Sequence, residues 1–433
     1  MLAMRIEKAG SINGTINLPG DKSISHRAAM LAAISTGETK ITNFASGADC
    51  RSTLTCLKGL GVEIIERGSE ITVKGFGRTG LRQPVQALDC GNSGTTMRLL
   101  AGILAGQPFE SILTGDRSLL TRPMTRIVEP LSAMGAVIGC DNDNAPLTIA
   151  GRHPLKAIDH ETSTPSAQVK SCILLAGLNA VGATAVTEPV KTRDHTERML
   201  RWFGCHVKTA HVTAGHRTSI RGGQELIAKE VTVAPDISSA AFFISAAVCL
   251  KGSDLTIQSI GMNPTRRAFV DILIDHGANI EITDEHEVCN EPIATVRVRS
   301  GLPEPSRKLL IDGGNASRLI DEIPILAVLG SQLDGGMEIR DGAELRVKET
   351  DRISAIVENL RRMNGRVVEY PDGLKVGRSS LTGASIDPFG DHRIAMAFAI
   401  AGLFAKGETI IDNSSCVDVS FPGFFETLRS VIR

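Results

Sequence analysis

Lys22, Ser23, Ser25, His26 and Arg27 crowd into one short stretch, "GDKSISHR", residues 20–27, between an extended segment (11–19) and an apolar helix-like run (28–34). A nucleotide loop needs GxxxxGK[ST], in which consecutive backbone N–H groups wrap the phosphates and the lysine follows directly. Here Asp21 separates Gly20 from Lys22. A carboxylate at that place faces the oxygens the lysine should hold, which argues against a nucleotide. Two readings stay open for the segment: an anion seat at a helix N-terminus, or a capped and solvated helix start.

The same combination recurs along the chain. "DCGNSGTTMRLLAG" (89–102) offers Gly91, Asn92, Ser93 and Gly94 at a small-residue turn before a helix, and "TGDRSLLTRPM" (114–124) offers Arg117 and Arg122. "STPSAQVKSCILLAGL" (163–178) brings Ser166, Gln168 and Lys170 to the start of an apolar helix, and "VKTRDHTERML" adds Arg193. "LRVKETDRI" adds Lys348, Glu349 and Arg352, and "FGDHRIAMAFAIAGL" adds Arg393 beside His392. Any one cluster is explained by capping and surface charge. Taken jointly they are not, because a cation at a helix start opposes the macrodipole by roughly a few tenths of a kcal/mol. A ligand with several negative charges, such as a pair of phosphorylated acids, would remove that conflict. Two carboxylates stand among these cations: Asp321 in "LIDEIPILAVL", and Glu349. Each is either a cap or ion-pair partner, or half of an acid–base pair in which one takes a hydroxyl proton and the other, kept protonated by desolvation, gives one up.

The elements that carry these residues repeat. "CRSTLTCLKGLGVEI", "MTRIVEPLSAMGAVI", "TRDHTERMLRWFGCHV", "TRRAFVDILIDHGANIEI" and "DRISAIVENLRRMNGRVV" each run from an arginine through apolar residues at helical spacing to a glycine and then a β-branched stretch. The pattern predicts an amphipathic helix closed by a glycine at positive φ (Gly61, Gly135, Gly204, Gly277, Gly365) and followed by a strand. A sixth copy, "FPGFFETLRSVIR", runs out of chain before its strands, while "MRIEKAGSINGTINLPG" has strands with no helix before them. The two ends are therefore expected to complete one unit. Six units divide into two domains of three: residues 1–20 with 236–433, and residues 21–235. The crossings near Gly20-Asp21 and in "VAPDISSAA" (233–241) are expected to form a hinge, with the active site in the interdomain cleft.

Composition bounds the partners. With 433 residues and 42% hydrophobic content the chain fills two or three folded domains. Acidic and basic residues balance at 48 against 47, and aromatics are 3%, so neither the field nor the stacking rings of a nucleic-acid binder is present. Nine cysteines without a C-x-x-C pair, and no secretory signal, fit a reducing cytoplasm. No apolar run approaches the roughly 20 residues needed to span a bilayer. His206, His211 and His216 are read as a solvated hairpin rather than a zinc site, and no metal or cofactor is expected.

Across the whole chain the residues resemble the 5-enolpyruvylshikimate-3-phosphate (EPSP) synthase family, in "LPGDKSISHRA", "GNSGTTMRLL", "GDRSLLTRPM", "SAQVKS", "TRDHTERML", "IDEIP", "VKETDRI" and "GDHRIAMA". The spelling "SAQ", "TRDHTE" and "NPTR" is similar to the class II branch. The resemblance implies a two-domain inverted α/β fold of the enolpyruvyl transferases, three helix–strand repeats per domain. It implies transfer of the enolpyruvyl group of phosphoenolpyruvate to the 5-hydroxyl of shikimate 3-phosphate with release of phosphate, a step of aromatic amino-acid biosynthesis. By the same resemblance Lys22, Ser23, Arg27, Ser166, Gln168, Arg193, Asp321 and Lys348 hold shikimate 3-phosphate. Lys22, Gly94, Arg122, Gln168, Arg352 and Arg393 hold phosphoenolpyruvate, and Asp321 (base), Glu349 (acid towards carbon) and Lys22 are catalytic. A monomer working on small molecules is implied. Where many members place a lysine shortly before the Phe421-Pro422 pair, this chain has Asp418 or Val419; where some glyphosate-tolerant members carry alanine, it has Gly94. Two rivals remain: the sister enolpyruvyl transferase acting on UDP-N-acetylglucosamine, whose lysine–asparagine pair and loop cysteine are missing here, and a silent anion-binding scaffold, against which the two carboxylates argue.

Overall fold

Helices of two kinds organise the chain, those apolar all round and those with a single apolar face, and each kind takes the place its surface demands. A computed structural model describes residues 3–301 and 308–433. They fall into two compact units. The inserted unit comprises Gly20–Val233 with Val288–Glu291; the terminal unit comprises Met1–Pro19, Ala234–Glu287 and Pro292–Arg433.

In the inserted unit the helices are α1 (Lys22–Ala33), α2 (Ala48–Gly59), α3 (Gly94–Ala105), α4 (Thr125–Ala133), α5 (Ala167–Gly177) and α6 (His195–Trp202). Helices α1, α3 and α5 are buried over nearly their whole length, and α3 packs on both α1 and α5. Three four-stranded sheets share one order. In the first, Val231–Thr232 lies parallel to Thr36–Thr42, which pairs antiparallel with Glu70–Phe76, itself antiparallel to Glu63–Arg67. Leu88–Asp89, Glu110–Thr114, Asn144–Ala150 and Val137–Asp141 repeat that order, as do Asp159–Glu161, Ala183–Glu188, Gly215–Arg221 and Val207–Val212. His211 and His216 face each other across the last hairpin with ring centroids 5.0 Å apart.

The terminal unit adds α7 (Ile237–Cys249), α8 (Ala268–Asp275), α9 (Gly313–Arg318), α10 (Ile323–Gly330), α11 (Arg352–Arg362), α12 (His392–Gly402) and α13 (Phe424–Val431). Helices α7, α10 and α12 are the buried set and pack on one another. Asn13–Ile16, Asp254–Gly261, Glu291–Arg299 and Ile280–Val288 form one sheet, and Leu309–Ile311, Met337–Ile339, Gly373–Gly377 and Arg366–Tyr370 another. The last, Ser385–Ile386, Thr409–Ile411 and Met4–Ile6, has three strands.

Two expectations need correction. The helix-closing glycine does sit at positive φ at Gly61 (84°), Gly135 (105°), Gly204 (94°) and Gly277 (90°), but after α11 the left-handed residue is Asn364 (61°). Asparagine tolerates that region, and Gly365 serves a close approach instead: a Cβ there would lie 2.7 Å from the Leu360 carbonyl oxygen. The opening segment, moreover, is shared between two sheets. Met4–Ile6 pairs with Thr409–Ile411 and Asn13–Ile16 with Asp254–Gly261, while Arg433 N donates to Ser11 O at 2.9 Å between them. Among the described residues no helix is long and apolar enough to cross a membrane.

Candidate active site

In the inserted unit the start of α1 is built by its own cap. The Asp21 carboxylate accepts from Ile24 N at 2.9 Å, so it closes the helix rather than opposing a bound phosphate. Lys22, the first helical residue, sits 2.9 Å from Asp49 Oδ2. Arg27, one turn further, is 4% exposed. Its Nε donates to Thr196 Oγ1 at 2.6 Å, and its terminal nitrogens donate to Ser23 O and Ser171 Oγ, each at 2.9 Å. All three acceptors are neutral, which leaves the guanidinium's charge to act on an anion. Burial pushes Arg27 down to about 10, against the pull of Glu197 and Asp21, and it stays charged at neutral pH.

At the start of α3, Ser93 Oγ caps the helix by accepting from Thr96 N at 3.1 Å. Arg98 donates to Gln168 Oε1 at 2.7 Å, Gln168 Nε2 donates to Thr95 Oγ1 at 2.9 Å, and Arg122 donates to Asn92 Oδ1 at 2.7 Å. Gly94 lies among them: a Cβ there would meet one Arg98 terminal nitrogen at 2.7 Å and one of Arg122 at 3.3 Å. Glycine leaves this space open between two guanidinia. Ser166 caps α5 through Val169 N at 3.4 Å, two residues before Gln168, and Arg193 stands half-buried ahead of α6. Arg117 is exposed and joins none of these contacts. Lys170, grouped by sequence with the anion-facing cations, is instead 1% exposed and lies 2.8 Å from Glu188 Oε2 and 2.9 Å from Glu197 Oε1. It is neutralised inside the fold.

In the terminal unit one guanidinium gathers the carboxylates. Arg352, at the first position of α11 and 1% exposed, donates from Nε to Asp391 Oδ2 at 2.8 Å, and from its terminal nitrogens to Glu349 Oε2 at 2.6 Å and Asp321 Oδ1 at 3.4 Å. Burial opposes that charge, but Asp391, Glu349 and Asp321 together outweigh it and raise the arginine's pKa. Arg393 Nε stands 3.5 Å from Asp321 Oδ1 and another of its nitrogens donates to Asp321 O at 3.1 Å. Asp391 also caps α12 by accepting from Arg393 N at 2.8 Å. Burial pushes Lys348 below the ordinary lysine range, with Asp321 pulling partly back. Arg352 thus ties both carboxylates to one buried guanidinium.

Chemically, the inserted unit offers buried or half-buried cations at capped helix starts, a setting suited to phosphate and carboxylate groups. The terminal unit offers two adjacent carboxylates in a cationic frame. A sequence profile of EPSP synthase (3-phosphoshikimate 1-carboxyvinyltransferase) matches residues 6–428. The chain belongs to the EPSP synthase family. Among relatives, the 3-phosphoshikimate 1-carboxyvinyltransferase of Solibacter usitatus is 49% identical over 429 residues, covering 99% of each chain. That of Geobacter sp. (strain M21) is 48% identical over 431 residues, again 99% of each. The solved EPSP synthase of Acinetobacter baumannii superimposes with a TM-score of 0.87 at 39% identity, covering 99% of this chain and 98% of that one. Family membership therefore extends over both units.

Sequence reasoning had not singled out Asp49, Arg98, Asp391, Ser171 or Thr196. Each lies inside or close to a quoted motif, but its role is to hold another site residue, and nothing in spacing alone distinguishes holder from held.

Proposed function

We propose that this chain transfers the enolpyruvyl group of phosphoenolpyruvate to the 5-hydroxyl of shikimate 3-phosphate, releasing phosphate. Lys22, Ser23, Arg27, Ser166, Gln168, Arg193, Asp321 and Lys348 hold shikimate 3-phosphate. Lys22, Gly94, Arg122, Gln168, Arg352 and Arg393 hold phosphoenolpyruvate. The observation that carries the reading is the Arg352 frame, which sets Asp321 and Glu349 next to each other.

In the addition step Asp321 takes the proton of the 5-hydroxyl while its oxygen bonds to C2 of phosphoenolpyruvate, and Glu349 delivers a proton to the methylene carbon. The product is a tetrahedral intermediate that still carries both phosphates. In the elimination step the C2–O bond to phosphate breaks, the new methyl group gives a proton back to Glu349, the leaving phosphate accepts one from Lys22, and the proton taken up by Asp321 is returned to Lys22 by way of solvent. Protons and charge balance over the two steps. Two polyanions side by side repel, so the fixed cations supply both affinity and stabilisation of the intermediate; removing one such group typically costs about 3 kcal/mol.

The protein works in the cytoplasm, a reading supported by its nine free thiols. Phosphate release by purified protein is the deciding assay. Release that requires phosphoenolpyruvate and shikimate 3-phosphate together is expected. Release with UDP-N-acetylglucosamine as acceptor instead, or with phosphoenolpyruvate alone, overturns the reading.

A further inference from the structure

His26 takes no part in the chemistry above, yet it is fully buried on α1 between Lys22 and Arg27. Its Nδ1 lies 2.6 Å from Thr53 Oγ1 on α2, and Thr53 Oγ1 lies 2.7 Å from Thr96 Oγ1 on α3. Thr96 Oγ1 in turn donates to Ser93 Oγ at 2.8 Å, with a longer contact to Asp49 O at 3.5 Å. All four side chains are sealed from solvent. An unbroken line of polar groups therefore runs from the helix of Lys22 and Arg27 to the residue that precedes Gly94.

Proton counting gives the line a direction. A threonine hydroxyl has one proton to donate. Thr96 gives its proton to Ser93, or at longer range to the Asp49 carbonyl, and so has none for Thr53. Thr53 must then donate to Thr96, which leaves its oxygen to accept from His26. Burial, with Lys22 and Arg27 adding to it, pushes His26 well below the ordinary histidine range, so the ring is neutral and carries a single N–H. That N–H is on Nδ1. Consistently, Nε2 has no hydrogen-bond partner among the described residues, and a buried bare acceptor is better tolerated than a buried unmatched N–H. Every proton in the line points away from His26, and Ser93 keeps its own, for which the described residues provide no acceptor.

We propose that His26, Thr53 and Thr96 form a polarised relay that keeps the proton of the Ser93 hydroxyl, buried beside Gly94, for donation to an anionic oxygen of phosphoenolpyruvate, making Ser93 a binding residue and the other three its positioning residues. The proposal rests on the placement of phosphoenolpyruvate at Gly94 and Arg122. Direction matters because a hydroxyl turned the other way presents lone pairs to an anion and repels it.

Steady-state kinetics with both substrates varied tests this. Thr53→Val and Thr96→Val keep the shape and break the line. His26→Asn keeps a donor where Nδ1 stands, whereas His26→Gln places its amide nitrogen where Nε2 stands. Thr53→Val, Thr96→Val and His26→Gln are expected to raise the KM for phosphoenolpyruvate about tenfold, the loss of one hydrogen bond to a charged group, and to leave that for shikimate 3-phosphate within about twofold. Thr53→Ser and His26→Asn recover most of the loss. Ser93→Ala raises the same KM, and adding Thr53→Val to it costs nothing further. Equal effects on both KM values, His26→Asn as poor as His26→Gln, or additive losses in the Ser93→Ala/Thr53→Val double variant would each overturn the relay. Arg122→Lys is the check on placement: if it leaves the phosphoenolpyruvate KM unchanged, placement and relay fall together. If it raises that KM while Thr53→Val does not, the relay alone falls.

Discussion

Arg352 shows how one buried residue can define a site. A fully desolvated guanidinium is costly unless its donors are matched, and here they meet Asp391, Glu349 and Asp321. With Asp321 and Glu349 as proton carriers, Asp321→Asn and Glu349→Gln are expected to cut kcat by about 10² to 10⁴ while shikimate 3-phosphate still binds within a few-fold, as read by calorimetry; wild-type turnover in both variants rules the acid–base roles out. Lys348 gives a pH prediction. Its lowered pKa means that the cation is present below that value and lost as pH rises through it, earlier than for an ordinary lysine at 10.5. The alkaline limb of kcat/KM for shikimate 3-phosphate should therefore lie below that of a free lysine. Lys348→Arg, charged through the whole range, should move it upward, and an unmoved limb means another group titrates. The residues that the resemblance assigns to ligand could be named because their motifs are spelled out in the chain. Their holders were not, since Asp49 beside Lys22 and Asp391 beside Arg352 are joined only by folding.

Helix starts are where the chain spends its polar residues, and the structure revises the reason. Cations there were expected to need a foreign anion, but Lys22, Arg352 and Arg393 already face Asp49, Glu349 and Asp321, so part of the dipole conflict is met internally. Sequence reading found those starts because capping residues and apolar runs are local. It misassigned Lys170, whose partners Glu188 and Glu197 come from a strand and a different helix. Lys170→Met strands two buried carboxylates and is expected to cost about 3–5 kcal/mol in urea unfolding. Adding Glu188→Gln and Glu197→Gln should return part of that, and a harmless single variant would mean the triad is not buried as described. At α3 the first residue must stay small. Gly94→Ala would press a methyl against Arg98, whose terminal nitrogen is tied to Gln168 at 2.7 Å and cannot yield without breaking that bond. A phosphoenolpyruvate KM raised about tenfold, with the shikimate 3-phosphate KM little changed, is the expected kinetic result; equal KM values for the two proteins would show that the space is not used.

Apart from the short parallel pair Leu155–Lys156 and Ala180–Val181, the sheets of the described residues make the molecule a repetition, five times four-stranded and once three-stranded. That much was legible because α2, α4, α6, α8 and α11 are each followed by a left-handed residue and then a strand, a signal contained in a few consecutive positions. Less legible was which strands pair across long separations: the ends of the chain were expected to finish one unit, and they serve two sheets. The reason is geometric, since Ser11 and Ile12 meet Arg433 and Ile432 and divide the opening segment between Met4–Ile6 on one side and Asn13–Ile16 on the other. The first strand is accordingly structural. Met4–Ile6 covers the edge of Thr409–Ile411, and Ile6, 7% exposed, packs into the core of the terminal unit. Ile6→Ala is expected to cost about 2–4 kcal/mol, and deletion of residues 1–8 at least as much, because the exposed edge adds lost ladder bonds to lost burial. Both should lower the urea midpoint with the slope nearly preserved. A deletion that leaves the midpoint unchanged would show that Thr409–Ile411 does not need its amino-terminal partner, and that the terminal unit closes without the start of the chain.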